Sequence, residues 1–396
     1  MSKVYYIDSF STEGMHEQFN SSLIVICNLL FDNVECCTSK SSWKNSLKLI
    51  KNRNLQNVEY RKLFVVAGSN KINWIIRYLT SALQNIRFLL LVPKDAVLIF
   101  PFNNIFSLRI LNFLNRFFKK KVVIFCHGEM EGLLGANEHS GFLARALYNM
   151  LNNFFTNQKV KIADNVYFVV FGDKIESNIK SIINEDKIEN FISIDHPYLF
   201  DGKFKQLNKT DKLNKLNLGT VGVLNRAKGV DSLLHFVDLL SPLVRDFVNV
   251  SAVGKIEIDI EELKKRNILY LLQNGAIISR ETYDAKINEL DFILFFYSQD
   301  SYKITASGAI MDAIKMEKPI IALKNDYFEY LFNKFGAFGY LFDTIDEMVN
   351  TVEKIASGKI KDNFNFEQIK NNFSPESISR QTLKEFEKIK FIKSEN

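Results

Sequence analysis

Short apolar runs of four to six residues recur along this chain, each followed by a longer stretch whose apolar positions fall three and four apart. Runs such as Val97–Phe100, Val122–Cys126 and Val166–Phe171 lack the alternation of a half-exposed strand, which marks strands buried on both faces. Parallel strands of that kind need a crossover helix between them, so the rhythm restricts the chain to α/β architecture. In the first half it predicts strands near Val4–Ile7, Leu63–Ala67, Val97–Phe100, Val122–Cys126 and Val166–Phe171, and helices near His16–Leu30, Ile72–Leu90, Ile105–Lys119 and Phe142–Gln158. The polar stretch Lys203–Asn217 interrupts the rhythm and predicts a linker. Beyond it the pattern predicts strands at Leu218–Gly222, Val248–Val253, Ala276–Ile278, Phe292–Phe296 and Pro319–Leu323, and helices at Gly229–Leu240 and Tyr283–Glu289. A proline opens a further predicted helix over Pro375–Lys393.

The 396 residues correspond to about two domains at ~100–200 residues each. The expected division is 1–205, 206–374, and a helix over 375–396 that packs back on the first domain. With 47% hydrophobic and 24% charged residues the chain has enough apolar surface for two cores. Its net charge of +6 reads as a mild excess spread along the chain, suited to an anionic small molecule or an anionic membrane surface and not to nucleic acid. Cys27, Cys36, Cys37 and Cys126 form no spaced framework, which suggests a reducing compartment and a cytoplasmic protein. No signal region opens the sequence, and no apolar stretch approaches the ~20 residues needed to cross a bilayer.

Familiar phosphate signatures are missing. There is no G-x-x-x-x-G-K-[ST], no G-x-G-x-x-G after a strand, and no D-x-D pair to clamp a metal–diphosphate complex. An anion would have to be held by backbone amides and cations. Two segments of the second half suit that task. In LGTVGVLNRAKGVDSLL a strand runs into a turn carrying Arg226 and Lys228, at the sheet edge where ligands bind in open α/β folds. Read blandly, both are solvated turn charges. In YKITASGAIMDAIKMEKPIIAL, Ser307 and Gly308 open a helix whose first amides could meet a phosphate, and Asp312 lies one turn on, placed to accept ribose hydroxyls. The bland alternative makes Ser307 a simple N-cap and Asp312 a solvated helix residue.

Taken in order, the G-x-L-N-R-x-K-G turn, VSAVGK, NGAIISRETYDAKINELDFILFFY and ASGAIMDAIKMEKPIIA resemble the nucleotide-sugar-binding half of GT-B glycosyltransferases, especially those similar to glycosyltransferase family 4. The resemblance covers roughly Leu218 to Leu341. It implies two Rossmann-like domains facing across a cleft, Arg226 and Lys228 on the donor diphosphate, Ile277, Ile278 and Tyr283 beside the nucleobase, and Asp312 on the ribose. A Glu that such enzymes commonly carry eight residues before the second acidic position is replaced by Ile304, which leaves retaining and inverting chemistry both open.

In the first half, VVIFCHGEMEGLL sets His127, Glu129 and Glu131 just after a buried strand. A His or Glu there can act as general base on an acceptor hydroxyl. The loop FSTEGMHEQF adds Glu13 as a reserve base, with Gly14 and His16 expected to approach the acceptor. A zinc site using His127 and His139 fits no spacing of helix-face ligands, and no metal or other cofactor is expected. The stripe in Leu108–Lys121 serves core packing first, with contact to anionic lipid as the alternative. The sequence therefore points to a metal-independent glycosyltransferase moving a sugar from a nucleotide sugar to a saccharide or lipid-linked acceptor, in a role such as surface-polysaccharide synthesis. A sugar-nucleotide epimerase and an inactive sugar-nucleotide-binding relative remain alternatives.

Overall fold

Apolar runs too short for a helix and too uniform for a half-exposed strand become the inner strands of two parallel sheets. The computed structural model describes residues 3–51, 53–68, 70–135, 141–201, 215–271, 278–360 and 363–392. Two units divide the chain: Met1–Asp201 with Ile304–Ala306 and Asn372–Asn396, and Gly202–Lys303 with Ser307–Asn371.

The first unit runs β1 (Lys3–Asp8), α1 (Glu17–Leu30), β2 (Asn33–Thr38), α2 (Lys40–Ile50), β3 (Val58–Lys62), α3 (Lys71–Leu91), β4 (Val97–Phe100), α4 (Ile105–Phe118), β5 (Lys121–Phe125), α5 (Phe142–Thr156), β6 (Val166–Phe171), α6 (Asp173–Lys180) and β7 (Phe191–Ile194). Its sheet order is β3-β2-β1-β4-β5-β6-β7, all parallel. The order reverses between β1 and β4, the doubly wound arrangement in which the loops leaving the strands' carboxyl ends form the binding edge.

The expected strand at Leu63–Ala67 is absent, and β3 ends at Lys62. β3 is an edge strand whose one neighbour, β2, ends at Thr38 opposite Lys62, so among the described residues the chain past Lys62 has no strand to pair with. Polar side chains of α3 satisfy the following carbonyls instead: Arg77 donates to the oxygens of Val66 (2.6 Å) and Gly68 (2.5 Å), and Gln84 to that of Phe64 (2.6 Å). The strands β2 and β7 were not expected. β2 is NVECCT, polar by composition yet buried at Val34, Cys36 and Cys37, and β7 is only four residues long.

The second unit runs β8 (Leu216–Leu224), α7 (Val230–Leu239), α8 (Pro242–Arg245), β9 (Val248–Ile256), α9 (Ile260–Lys264), β10 (Leu269–Tyr270), α10 (Arg280–Asn288), β11 (Phe292–Phe295), α11 (Gly308–Lys315), β12 (Ile320–Leu323), α12 (Asp326–Phe335), β13 (Gly339–Phe342) and α13 (Ile345–Ala356). Its sheet, again parallel, has the order β10-β9-β8-β11-β12-β13. The switch falls between β8 and β11, so their carboxyl ends, and the segments that follow them, lie side by side. Most of the expected linker and two residues of the expected strand at Ala276–Ile278 fall outside the described residues; Ile278 is described and lies outside any strand.

The chain closes with α14 (Phe366–Phe373) and α15 (Pro375–Lys388). α15 belongs to the first unit, where it packs on α1 and places Ile378 and Phe386, with Phe391 just beyond it, in the same core as Leu23, Phe31 and Val34.

Candidate functional site

In the second unit, β8 ends in a tight 3-10 turn over Arg226–Lys228, closed by Gly229. Gly229 has φ 78°, and a Cβ there would fall 2.0 Å from the carbonyl oxygen of Phe296, so only glycine lets this turn press against the end of β11. Asn225 caps the turn through its side chain, accepting from the Lys228 amide at 3.0 Å. The two cations differ. Arg226 points into solvent with its side chain 80% exposed, and its nearest acid, Asp231, is 4.0 Å away. Lys228 turns inward: its ammonium lies 4.0 Å from the Tyr302 ring centre and 5.2 Å from that of Tyr297, and it donates to the Tyr302 hydroxyl. It is therefore a cation seated on aromatic faces and not a solvated turn charge.

Tyr297 connects this turn to the start of α11. Its phenol is held well above the usual range by burial and then by the neighbouring Tyr302, and the Ser307 hydroxyl near it is buried without a hydrogen-bond partner. Ser307 occupies the N-cap position without making a side-chain capping bond, and it is fully buried. Gly308 is exposed, and a Cβ on it would meet nothing within 4 Å, so nothing covers the helix start at that position. Lys228 is thus held by Tyr297 and Tyr302, two residues that the sequence motifs did not single out. Their signal was present in FFYSQDSYK, but the segment matches no phosphate-binding pattern.

Asp312 is buried at 7% exposure and is not a solvated helix residue. Arg280 at the start of α10 reaches it at 2.5 Å and also holds Asp284 at 2.7 Å, while the Tyr283 hydroxyl donates to Asp312 at 3.3 Å. Tyr283 therefore joins the expected ribose residue directly, and Arg280 is a member of the site that sequence reasoning missed. Ile278 is half-buried just before α10, and Ile277 lies outside the described residues. Ile304 is buried at 1% exposure, an apolar side chain where the resemblance expects a Glu.

In the first unit the expected residues gather at the carboxyl edge of the sheet. The His127 ring lies 4.9 Å from that of His16, 4.5 Å from Phe19 and 5.2 Å from Phe171. A third imidazole, His196 just after β7, lies 4.8 Å from Phe171 and 5.6 Å from Phe19, so three of the chain's five histidines share one aromatic cluster. The motif search missed His196 because β7 was missed. Its Nδ1 is buried without a hydrogen-bond partner, and burial lowers its pKa to about 4. His127 Nε2 lies 2.9 Å from the Pro101 carbonyl oxygen. A carbonyl only accepts, so this nitrogen carries the proton, and Nδ1 holds the lone pair. Burial first, then the imidazoles of His16 and His196, keep His127 well below its ordinary pKa.

Glu129 behaves oppositely. Burial pushes its carboxyl up to about 7, against the hydrogen bonds that stabilise its anion, and its side chain remains partly open to solvent. Both carboxylate oxygens accept from the His127 amide at 3.0 Å, which pins the turn that presents the imidazole. Glu131 accepts from the Thr305 hydroxyl at 2.7 Å. Glu13 and His16 both have left-handed backbones, φ 55° and 50°, an uncommon state for such residues. Glu13 is exposed, its amide donating to Ser41 Oγ at 3.1 Å. Gly14 is exposed, its φ is not positive, and a Cβ on it would make an ordinary 3.5 Å contact with Glu17. Among the described residues no group of three or more His, Cys, Asp or Glu is placed to hold a metal, and His139 lies outside them.

No protein-family profile matches the sequence, and no curated protein does. Solved structures do. Over 98% of this chain and 97% of the other, α,α-trehalose 6-phosphate synthase from Burkholderia multivorans matches with a TM-score of 0.61 at 10% identity. S. aureus TarM, solved with fondaparinux, α-GlcNAc-glycerol and UDP, matches over 98% and 100% at 0.59 and 11%. The chain has the GT-B glycosyltransferase fold. A third GT-B structure, WaaG, a glycosyltransferase involved in lipopolysaccharide biosynthesis, matches over 96% and 98% at 0.52 and 12%. The GT-B assignment accounts for two parallel doubly wound sheets in one chain, and for binding edges at the switch points of both.

Proposed function

We propose that this protein is a glycosyltransferase that binds a nucleoside diphosphate sugar on its second unit and glycosylates a hydroxyl held by its first. The observation that carries the reading is the junction after β8 and β11, where Lys228 rests on Tyr297 and Tyr302 and α11 opens with the buried, unpartnered Ser307 hydroxyl and the uncovered Gly308. A leaving diphosphate needs positive potential that strengthens as the glycosidic bond breaks, and a cation beside helix-terminal amides supplies it. Arg226, exposed on the same turn, adds a second charge. No metal clamp is invoked, in keeping with a sequence that has no D-x-D pair. Binding would move Lys228 from the Tyr302 hydroxyl to phosphate oxygens, and Asp312 with Tyr283 would receive the ribose once Arg280 shifts.

On the acceptor side, the His127 Nδ1 lone pair would orient or accept the proton of the attacking hydroxyl, with Glu129 fixing the turn. The acceptor class is a saccharide or a lipid-linked saccharide, as in surface-polysaccharide synthesis; the functions named for WaaG and for the ligands of TarM support that choice. Lys228→Ala should weaken UDP or UDP-sugar binding by about 1–3 kcal/mol, the cost of a lost charge-assisted hydrogen bond. Calorimetric affinity equal to that of the parent would remove the diphosphate assignment. Buried Ile304 favours one other reading, a sugar-nucleotide-binding relative without transfer. That reading predicts nucleotide binding with no consumption of donor in the presence of acceptors.

A further inference from the structure

Positive charge in this chain is gathered and not spread. Between Arg61 and Gly128 stand eleven Lys and Arg against one acid, Asp95, a net of +10. The whole chain carries +6, so everything outside that segment sums to −4. The segment contains α3 and α4, neither of which has an Asp or Glu.

These two helices pack side by side in the first unit and turn their inner faces to its core. α4 buries Ile105, Leu108 and Leu111, which is the core-packing role expected of its stripe. Its outer face is apolar as well: Ile110, Phe113 and Phe117 are exposed, the last at 71%, and the Phe113 and Phe117 rings meet edge to face at 5.4 Å. On α3 the exposed positions Ile72, Ile76, Leu79 and Leu83 follow one another at helical spacing, with Leu83 68% exposed. Two adjacent helices thus present apolar stripes outward, an exposed apolar area larger than scattered surface residues produce. Exposed cations flank the stripes, Lys71 and Arg87 on α3, Arg109 and Arg116 on α4, and Lys119 just beyond. Arg109 and Arg116 donate to neutral acceptors, the Asn153 amide oxygen and the Lys161 carbonyl, which leave their charge uncompensated.

We propose that the outer face of α3 and α4 docks on an anionic lipid bilayer, with Leu and Phe side chains at the acyl boundary and Lys and Arg among the headgroups. Apolar side chains ringed by cations without acids fit that surface and no neutral one. A second copy of this chain is a poor occupant, because it would set two strongly positive faces against each other. The helices would lie on the bilayer: among the described residues no helix is long and apolar enough to cross it. The proposal stands apart from the reaction assigned above.

Sedimentation of the full chain with vesicles tests it, using phosphatidylcholine alone and phosphatidylcholine mixed with phosphatidylglycerol. The parent should sediment with the mixed vesicles at low salt, release as salt rises, and stay in solution with phosphatidylcholine alone. The double variant Phe113→Ser, Phe117→Ser changes only exposed side chains; its melting midpoint should match the parent's while its partition falls at least about tenfold. Three results would overturn the idea: no binding to anionic vesicles at low salt, equal binding by the double variant, or a concentration-dependent dimer of the parent that the double variant abolishes.

Discussion

Glu129 and His127 sit two residues apart, and the same burial shifts their proton affinities in opposite directions and inverts their order: the carboxyl rises to about 7 while the imidazole falls well below its ordinary value. The sign for stability follows from linkage. A carboxyl whose folded pKa is raised favours folding while protonated, so its contribution is complete below the free carboxyl range and is lost as pH climbs through about 7. Glu129→Gln should therefore gain stability relative to the parent between pH 5 and pH 8, read as a widening difference in melting midpoint; a constant difference across that range would contradict the burial assigned here. His127 and Glu129 were legible because they follow a predicted strand by one and three positions. His196 was not, since a four-residue strand gives too little periodicity to locate the turn after it. In the second unit, Arg226 and Lys228 were found together as a motif, but only packing distinguishes them: one is solvated, and the other rests on Tyr297 and Tyr302.

Among the elements, those with continuous apolar runs, β4, β5, β6 and β12, are visible in sequence because burial on both faces removes every polar position. Edge and polar strands obey other rules. β3 reads VEYRK and is exposed at Glu59, Arg61 and Lys62, while the more apolar Leu63–Ala67 next to it forms no strand, carbonyls of that segment being claimed by α3. Hydrophobicity reports burial, and pairing depends on whether a neighbour exists. The turn between β8 and α7 shows a similar dependence on context. Gly229→Ala would force a Cβ onto the Phe296 carbonyl in a left-handed backbone, so the substitution should cost at least about 2 kcal/mol. Chemical denaturation followed by circular dichroism measures it, and a neutral result would mean that the turn does not press on β11. The same variant should weaken nucleotide binding by displacing Lys228.

For the whole molecule, the two-unit division ties segments far apart in sequence to one core. Phe386 of α15 is fully buried with Phe31 of α1's C-cap, their rings 6.5 Å apart. Phe386→Ala should destabilise the first unit by about 3–5 kcal/mol. Both tryptophans, Trp43 and Trp74, lie in that unit, so intrinsic fluorescence isolates its transition. An unchanged fluorescence midpoint would show that α15 is dispensable to the core. The sequence rhythm implied two α/β halves because each repeats strand and helix independently. The return of the last helix to the first half was expected from the sequence, whereas its seat on α1 rests on the complementarity of two apolar faces, a property of the pair that neither segment carries alone.

The placement of α15 also bears on how the protein is made. Synthesis proceeds from the amino end, and domains generally fold as they emerge from the ribosome. The second unit's segments, through Asn371, are all polymerised before α15 exists. The first unit, begun earlier, must therefore keep the apolar face of α1 uncovered throughout the translation of its neighbour. During that interval α1 is a natural landing place for a chaperone, and a ribosome stalled anywhere in the second unit would display it.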